Sequence, residues 1–562
     1  AGGSITRAFD VLGRQYSYTD ADGATTTTRL DVLDRPVQVS DSVPSTVSYE
    51  YDVAVEPRGL VTKVTDSVAG AFTARYDADG DLAVQGLPGG YTLRQVQDPA
   101  GEILSRVYAR DADGTVVLSD TVAVNVHGQV ASHTGTPGVT ASQEYAYDRA
   151  GRLTGVADTS ARAVCTRRAY GFDKNSNRTS LTTATGVTGG DCPTTGGATA
   201  SSVYDTADRL IADGHVYDAF GRATQIPGST LTYHANDLAR SQTAGDRRQT
   251  WDLDTAGRYR SWTVDANTTG TWTRTASKTN HYDGDSDSPR WIVENTSTGA
   301  LTRNVEGPDG DLAATTTATG GTILYLSTIH GDTPLQLPLD DPTATTVIDT
   351  DEYGNVTAGT PARYAWLGAK QRSTETLTGL TLMGVRLYHP DTGRFLSVDP
   401  VPGGNPNAYT YPVDPLNTFD LDGRFSFRKA FRKAARAASY MPGVVGTVAN
   451  VGWAAYYVSR GNWREAGLSA LGGASFGVTR YTSLVGRVAQ RSRFFGKSSR
   501  LFGRGKKGFF NRNDRVRLGW TWKGSHHSGR NMFSLRAGSR RSKIRVFGRR
   551  FHLHYAIMRG VV

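Results

Sequence analysis

The chain has 562 residues, of which 38% are apolar, 64 are glycine and two are cysteine. This length exceeds what one hydrophobic core supports, so we expect at least two domains, and two cysteines exclude a fold built on disulfides. The net charge of +10 is unevenly divided: residues 424–562 hold 30 Lys and Arg against two carboxylates, a charge of +28, whereas residues 1–423 carry −18.

The chain begins Ala1-Gly-Gly, with neither a methionine nor a signal peptide. We therefore expect it to be part of a longer protein. Cys165 and Cys192 could form one local disulfide in an oxidising compartment, or stay reduced.

A short pattern recurs along the first 222 residues: an aromatic or leucine, then Asp, then a Gly, Asn or Asp and, in six of the seven clear copies, an Arg near the start of the next strand. The pattern indicates that the aromatic ends a strand, Asp begins a turn, the next small residue takes a positive φ and Arg opens the following strand. Such hairpins are too small to bury their own apolar face, so in series they predict one continuous sheet that coils on itself. The clear copies lie at residues 9–14, 30–35, 76–82, 147–153, 172–178, 204–210 and 217–222.

These units resemble the YD repeats of the Rhs family, which includes the TcC toxin subunits. The segment 379–400 resembles the opening of the Rhs core domain, and Asn407–Tyr411, Asp414–Asn417 and Asp420–Gly423 resemble its closing part. The resemblance covers residues 1–424 and implies a mainly β fold, in which a coiled YD-repeat shell, or cocoon, encloses a variable C-terminal toxin. It divides the chain into a shell over 1–375, an Rhs core over 376–424, and a smaller α+β basic part in two pieces, 425–500 and 501–562.

The resemblance also implies an aspartyl autoprotease at the end of the core. Asp399 and Asp420 match the two family aspartates, which places the cut after Arg424, and Arg394 is expected to bias the pair. Two close carboxylates cannot both ionise easily, so one can act as acid while the other activates water. The sequence departs from the family at Leu421 and Arg424, and the alternative is that both aspartates only form turns.

Residues 425–500 combine a basic helix with an apolar segment. Residues 427–438 place alanine and phenylalanine on one helical stripe and Lys and Arg on the other, and 437–459 contain no charge. The pattern resembles pretoxin segments, and we expect either a transient membrane contact through residues 427–479 or a buried helical hairpin.

Residues 501–562 alternate as short strands over 516–522, 532–536, 544–547 and 551–555. Their Lys, Arg and aromatic content is typical of a nucleic-acid binder, and four of the eleven histidines lie within the last 37 residues. Two-metal nucleases need more carboxylates, and zinc deaminases need cysteines that residues 424–562 lack.

The residue types of this basic part favour a metal-independent RNase without a cofactor. Its general acid and base would come from the histidines, and cations would stabilise the phosphorane. The candidate residues are His526, His527, His552, His554, Arg530 and Lys523.

The alternatives are a His-Asn-His DNase, a non-enzymatic membrane-active effector and a YD-repeat adhesion protein. In the DNase, His526 or His527 is the base, Asn531 orients it, and His552 and His554 bind a divalent metal. The toxin interpretation predicts RNA as the favoured partner, an acidic immunity protein, and a secreted or cell-surface location with action in a target-cell cytoplasm. The secretion apparatus is not predicted.

Overall fold

The structure is a computed structural model that describes residues 3–99, 101–136, 139–159, 163–401 and 407–424, together with the backbone of five short strands beyond residue 500. It divides into two compact units, Ala1–Ser426 and Phe427–Val562. We describe each unit separately.

The recurring turn has one geometry throughout the first unit. In the turn that begins at Asp148, the carboxylate Oδ1 accepts the backbone N–H of Ala150 at 2.8 Å and of Arg152 at 3.0 Å. Arg152 Nε donates to Asp148 Oδ2 at 2.7 Å, and Gly151 has φ +75°. The carboxylate thus satisfies the turn's amides while its second oxygen binds the arginine that opens the next strand.

Six turns share all of these bonds, with the arginine Nε 2.5–2.9 Å from the aspartate Oδ2. The positive φ and the aspartate at each turn confirm the predicted pattern. The six turns begin at Asp10, Asp31, Asp148, Asp205, Asp218 and Asp254.

The aromatic residue of a unit ties its strand to the neighbouring one. Tyr147, at the end of its strand, donates its hydroxyl to the Val130 carbonyl at 2.7 Å, and Tyr76 donates to the Val61 carbonyl at the same distance. A half-buried tyrosine ring thus keeps its polar end bonded while the ring packs on the sheet.

The first sheet has 17 strands, and each pairs antiparallel with the next along the chain. The strands β1–β17 are Thr6–Phe9, Gln15–Thr19, Thr25–Leu30, Pro36–Asp41, Ser45–Glu50, Lys63–Asp66, Gly70–Tyr76, Leu82–Leu87, Tyr91–Gln97, Ile103–Arg110, Val116–Val124, Val130–Gly135, Ser142–Tyr147, Leu153–Thr159, Cys165–Phe172, Arg178–Thr185 and Ala198–Ser201.

A two-stranded ribbon, β18 (Val203–Tyr204) and β19 (Leu210–Ile211), precedes a second antiparallel sheet of 13 consecutive strands. These strands, β20–β32, are Val216–Tyr217, Ala223–Ile226, Ser229–Tyr233, Ala239–Ala244, Arg247–Leu253, Tyr259–Thr268, Thr271–His281, Trp291–Asn295, Ala300–Glu306, Leu312–Thr317, Thr322–Leu326, Leu335–Pro338 and Thr346–Val347.

Short elements complete the first unit. A ribbon pairs β33 (Asp349–Thr350) with β34 (Val356–Ala358), and a three-stranded sheet contains β35 (Thr381–Met383), β36 (Arg386–His389) and β37 (Arg394–Phe395). The helices among the described residues are two 3₁₀ turns, η1 (Pro342–Ala344) and η2 (Gly368–Lys370). The predicted mainly β architecture is therefore confirmed.

The core of the first unit lies between the two large sheets. Phe72, Leu93 and Leu118 of the first sheet pack in one buried cluster with Leu324 and Leu326 of the second. Alternation along each strand directs these side chains inward, and burial of their apolar surface holds the sheets together. The prediction of one continuous sheet is wrong, because the β18–β19 ribbon separates the strands into two large sheets that share this core.

Polar side-chain contacts also connect segments that are far apart in the sequence. Arg290 Nε contacts Asp41 Oδ1 at 2.8 Å, and His281 Nδ1 lies 2.6 Å from Asp20 Oδ2. Both aspartates belong to the first sheet region, and Arg290 and His281 belong to the second. They fix the register of one sheet on the other.

The second unit is described by its strands alone. They are β38 (Gly503–Arg504), β39 (Arg515–Thr521), β40 (Met532–Arg536), β41 (Ser542–Val546) and β42 (Arg549–Leu553), in the order β38-β39-β40-β42-β41. Four of them overlap the strands predicted from alternation, with ends that differ by at most two residues. The predicted basic helix and apolar segment of 425–500 lie outside the described residues.

Among the described residues, no helix has the length and apolar content needed to span a membrane. The two cysteines, whose state the sequence left open, are joined. Cys165 of β15 and Cys192 form a disulfide that closes a 27-residue separation, with Cα atoms 5.0 Å apart.

We expect the double substitution Cys165→Ser and Cys192→Ser to lower the free energy of unfolding by about 3–4 kcal/mol, because the bridge removes loop-closure entropy from the unfolded chain. Denaturant unfolding measured with and without a thiol reductant checks this. In reductant the two proteins should unfold alike, and equal stability without reductant would contradict the assigned disulfide.

Candidate functional site

The hairpin β35–β36 positions an arginine beside the end of the first unit. Gly384 lies in its tight turn with φ +59°, and a Cβ there would lie 2.4 Å from the Asp422 carbonyl oxygen. Val385 donates its N–H to the same carbonyl at 3.2 Å. Glycine is required because the backbone of residue 422 packs directly on this turn, next to Arg386.

Arg386 lies between two aspartates. Its Nη2 contacts Asp399 Oδ2 at 3.1 Å and Asp420 Oδ2 at 2.7 Å. The side chains of the three residues are only 2%, 4% and 1% exposed, and the guanidinium stacks on the Phe395 ring at 3.6 Å. One cation therefore serves two buried carboxylates, which leaves a formal charge of −1 away from solvent.

The same groups hold the last described peptide of the first unit. Arg386 Nε donates to the Gly423 carbonyl oxygen at 2.7 Å, and Asp420 Oδ1 accepts the backbone N–H of Arg424 at 2.9 Å. Both polar groups of the Gly423–Arg424 peptide are therefore hydrogen-bonded to the cluster.

Burial raises the pKa of Asp420 to about 6; Arg386 opposes this shift, while Asp422 and Asp399 add to it. Burial likewise lowers the pKa of Arg386. Because the carboxylate is out of water and shares its cation with Asp399, Asp420 can hold a proton in mildly acidic solution.

Residues 419–424, Phe-Asp-Leu-Asp-Gly-Arg, repeat the sequence pattern of the recurring turn and share part of its geometry. Gly423 has φ +64°, and the Arg424 amide binds the Asp420 Oδ1 as the Arg222 amide binds the Asp218 Oδ1. One difference lies at the second carboxylate oxygen, which binds Arg386 in this turn and the turn's own arginine in the six others. The sequence contained this signal, because residues 419–424 match the pattern of residues 9–14, Phe-Asp-Val-Leu-Gly-Arg.

Arg386, rather than the predicted Arg394, lies between the two aspartates. Arg394 Nη1 donates to Asn177 Oδ1 at 2.8 Å, its Nη2 donates to the Asp208 carbonyl, and its guanidinium lies over the Tyr204 ring. The reason is strand alternation: Tyr388 pairs with Phe395, so Arg386 shares their face and Arg394 has the opposite one. Sequence reasoning missed Arg386 because separation along the chain does not reveal which face a strand residue occupies.

The predicted nuclease residues lie mostly outside the described residues. This holds for Lys523, Arg530, Asn531 and for the histidines at 526, 527 and 554. The backbone of His552 belongs to β42, where it pairs with Ser534 of β40 and Lys543 of β41. No group of three or more His, Cys, Asp or Glu within the described part of the chain could hold a metal ion.

Similar folds occur among solved structures. The crystal structure of TcdB2-TccC3-TEV matches with a TM-score of 0.62 and 15% identity, over 74% of this chain and 23% of that chain. That of TcdB2-TccC3 matches at 0.60 and 15%, over 74% and 24%. The Tc holotoxin pore of Photorhabdus luminescens matches at 0.59 and 15%, over 75% and 23%.

The chain thus spans about a quarter of the length of the chains that it matches. No family model matches the sequence, and no curated protein matches it. At this identity the likeness shows the fold: the chain adopts the fold of part of the TcdB2-TccC3 chains.

We expect Asp420→Asn to stabilise the protein increasingly as the pH rises from about 4 to 6, by up to about 3 kcal/mol. In the folded state the pKa of Asp420 is about 6, above its usual value of 3.8, so the wild-type carboxyl loses stability as it ionises across this interval. Denaturant unfolding at a series of pH values measures the difference.

Asp218→Asn is the matched control, since Asp218 occupies the same position in an ordinary turn. Burial there is outweighed by the hydrogen bonds from Arg222, which hold the pKa of Asp218 below its usual value. The loss in free energy of unfolding caused by Asp218→Asn should therefore increase with rising pH. A pH-independent effect of Asp420→Asn would contradict the assigned environment.

Proposed function

We propose that the chain is part of an Rhs-type secreted toxin, in which residues 1–424 belong to the shell and the basic residues after 424 are the effector. The observation that carries the proposal is the Asp399–Arg386–Asp420 cluster, which holds the chain where the acidic and basic parts meet. The likeness to the TcdB2-TccC3 chains supports the shell assignment.

The cluster has the groups that peptide hydrolysis needs. In the proposed reaction Asp399 takes a proton from water, the water oxygen attacks the Arg424 carbonyl carbon, and protonated Asp420 gives its proton to the departing nitrogen of Phe425. The C–N bond breaks, which leaves a carboxylate on Arg424 and an amine on Phe425. Arg386 positions the substrate through the Gly423 carbonyl and stabilises the charge on both aspartates.

Self-cleavage is tested on the full chain. We expect the purified wild-type protein to yield fragments 1–424 and 425–562 by intact mass and N-terminal sequencing, and Asp399→Asn and Asp420→Asn each to slow the reaction at least a hundredfold. The control Asp218→Asn removes a carboxylate from the same kind of turn and should cleave normally. Wild-type rates in either site variant would overturn the autoprotease assignment.

For the effector, a metal-independent RNase is the activity that the residue inventory favours. Residues 424–562 carry +28, a charge suited to the phosphate backbone, and their histidines and arginines supply acid, base and phosphorane stabilisation without a metal. The acidic immunity protein belongs to this proposal, since an effector of this charge would need an acidic inhibitor in the cell that produces it.

The RNase is tested with the wild-type protein after cleavage, on total RNA and on duplex DNA, each with and without EDTA. We expect RNA cleavage that persists in EDTA and falls at least a hundredfold in the His552→Ala, His554→Ala double variant. DNA cleavage that EDTA abolishes would favour the His-Asn-His alternative instead. If neither is cut but vesicles leak, the membrane-active alternative holds.

A further inference from the structure

We propose that Arg424 restrains the Asp399–Arg386–Asp420 cluster. Its guanidinium can bind the Asp420 carboxylate as the arginines of the other turns bind theirs, and this contact slows self-cleavage. The inference rests on the autoprotease part of the proposed function. It adds a residue that sets the pH range in which the autoprotease acts. It assigns Arg424 a positioning role, distinct from that of the groups that exchange protons.

The other turns show what an arginine at this position does. Arg222 occupies the fifth position of its turn. Its backbone N–H donates to the Asp218 Oδ1 at 3.0 Å, and its Nε donates to the Oδ2 at 2.7 Å. The same pair of contacts occurs at Asp10 and Arg14, where the Arg14 side chain lowers the pKa of Asp10. The arginine therefore keeps the aspartate of its turn ionised.

Arg424 starts from the same backbone position. Its N–H binds the Asp420 Oδ1 at 2.9 Å, and Gly423 before it has the positive φ of the other turns. The residue is exposed, and it lines a cavity of about 370 Å³ that also contacts Asp422 and Arg372. Its side chain thus has room to change rotamer.

A second guanidinium would change the charge balance of the site. The groups that face Asp420 are Arg386, Asp399 and Asp422, with Tyr411 alongside and Arg372 bonded to the Leu421 carbonyl. The Asp399–Arg386–Asp420 cluster alone has a formal charge of −1, so it favours uptake of a proton. With Arg424 bound to Asp420 the cluster is neutral, and the carboxyl that must donate a proton is held ionised.

The test compares self-cleavage of the wild-type chain with Arg424→Leu and Arg424→Lys between pH 5 and 8. Because the active form needs a protonated Asp420, cleavage should slow as the pH rises through its pKa, and removal of the arginine should move that decline to higher pH. We expect Arg424→Leu to cleave about three to ten times faster than wild type near pH 7, with Arg424→Lys between the two. The matched control Arg222→Leu removes the same side chain from an ordinary turn and should leave the profile unchanged.

The shape of the profile separates the restraint from other roles of residue 424. A side chain that only affects recognition of the cleaved bond would change the rate equally at every pH, and such a result would overturn the inference while the autoprotease stands. If neither protein cleaves, the autoprotease itself fails. In that case the stabilisation caused by Asp420→Asn is measured against pH in the wild-type chain and in the Arg424→Leu variant. If the pH dependence of this stabilisation is the same in both, the contact between Arg424 and Asp420 is overturned.

Discussion

The first unit depends on one interaction, the hydrogen bonds that the backbone amides of each turn donate to the aspartate carboxylate at its start. Each antiparallel pair in a meander needs a tight reversal, and backbone N–H groups in such a reversal have no partner in the sheet. At Asp148 one carboxylate oxygen accepts hydrogen bonds from two of these amides, and the other oxygen binds the arginine that begins the next strand. The turn is thus stabilised locally, before the distant strands that bury its apolar residues come together.

The same turn behaves differently when it is buried. Asp218 lies near the surface, binds its own arginine and has a lowered pKa, whereas Asp420 is buried, binds Arg386 and has a raised one. In both turns the amide of the fifth residue donates to the aspartate Oδ1, and the two turns differ in burial and in the partner of the second carboxylate oxygen. A repeated structural element thereby acquires a group that can exchange a proton near neutral pH.

Arg386 illustrates how packing creates this environment. The Gly384 turn admits the backbone of Asp422, and that contact brings the final turn of the unit against the start of β36. Removal of the arginine would leave two carboxylates in a dry site, an arrangement that costs several kcal/mol. The cation is therefore needed for the fold as well as for any chemistry at the junction.

Much of the architecture is local and could be predicted from the sequence. The Asp and Gly of each unit predicted the turns, the spacing of units predicted consecutive antiparallel strands, and alternation predicted four strands beyond residue 500. These features depend on residues within about five positions of one another, where φ preferences and side-chain bonds to the backbone are decisive.

The sequence by itself determined the turns, the mainly β fold and the division of charge, and it singled out Asp399 and Asp420. Only the tertiary structure decided which arginine lies between the two aspartates, because Arg386 and Arg394 are equally plausible until the register of β36 with β37 assigns their faces. It also decided that Cys165 and Cys192 pair, and that the second carboxylate oxygen of Asp420 binds Arg386 of another strand rather than an arginine of its own turn. Such contacts join residues 13 to 34 positions apart, and their geometry is set by burial and register rather than by local preference.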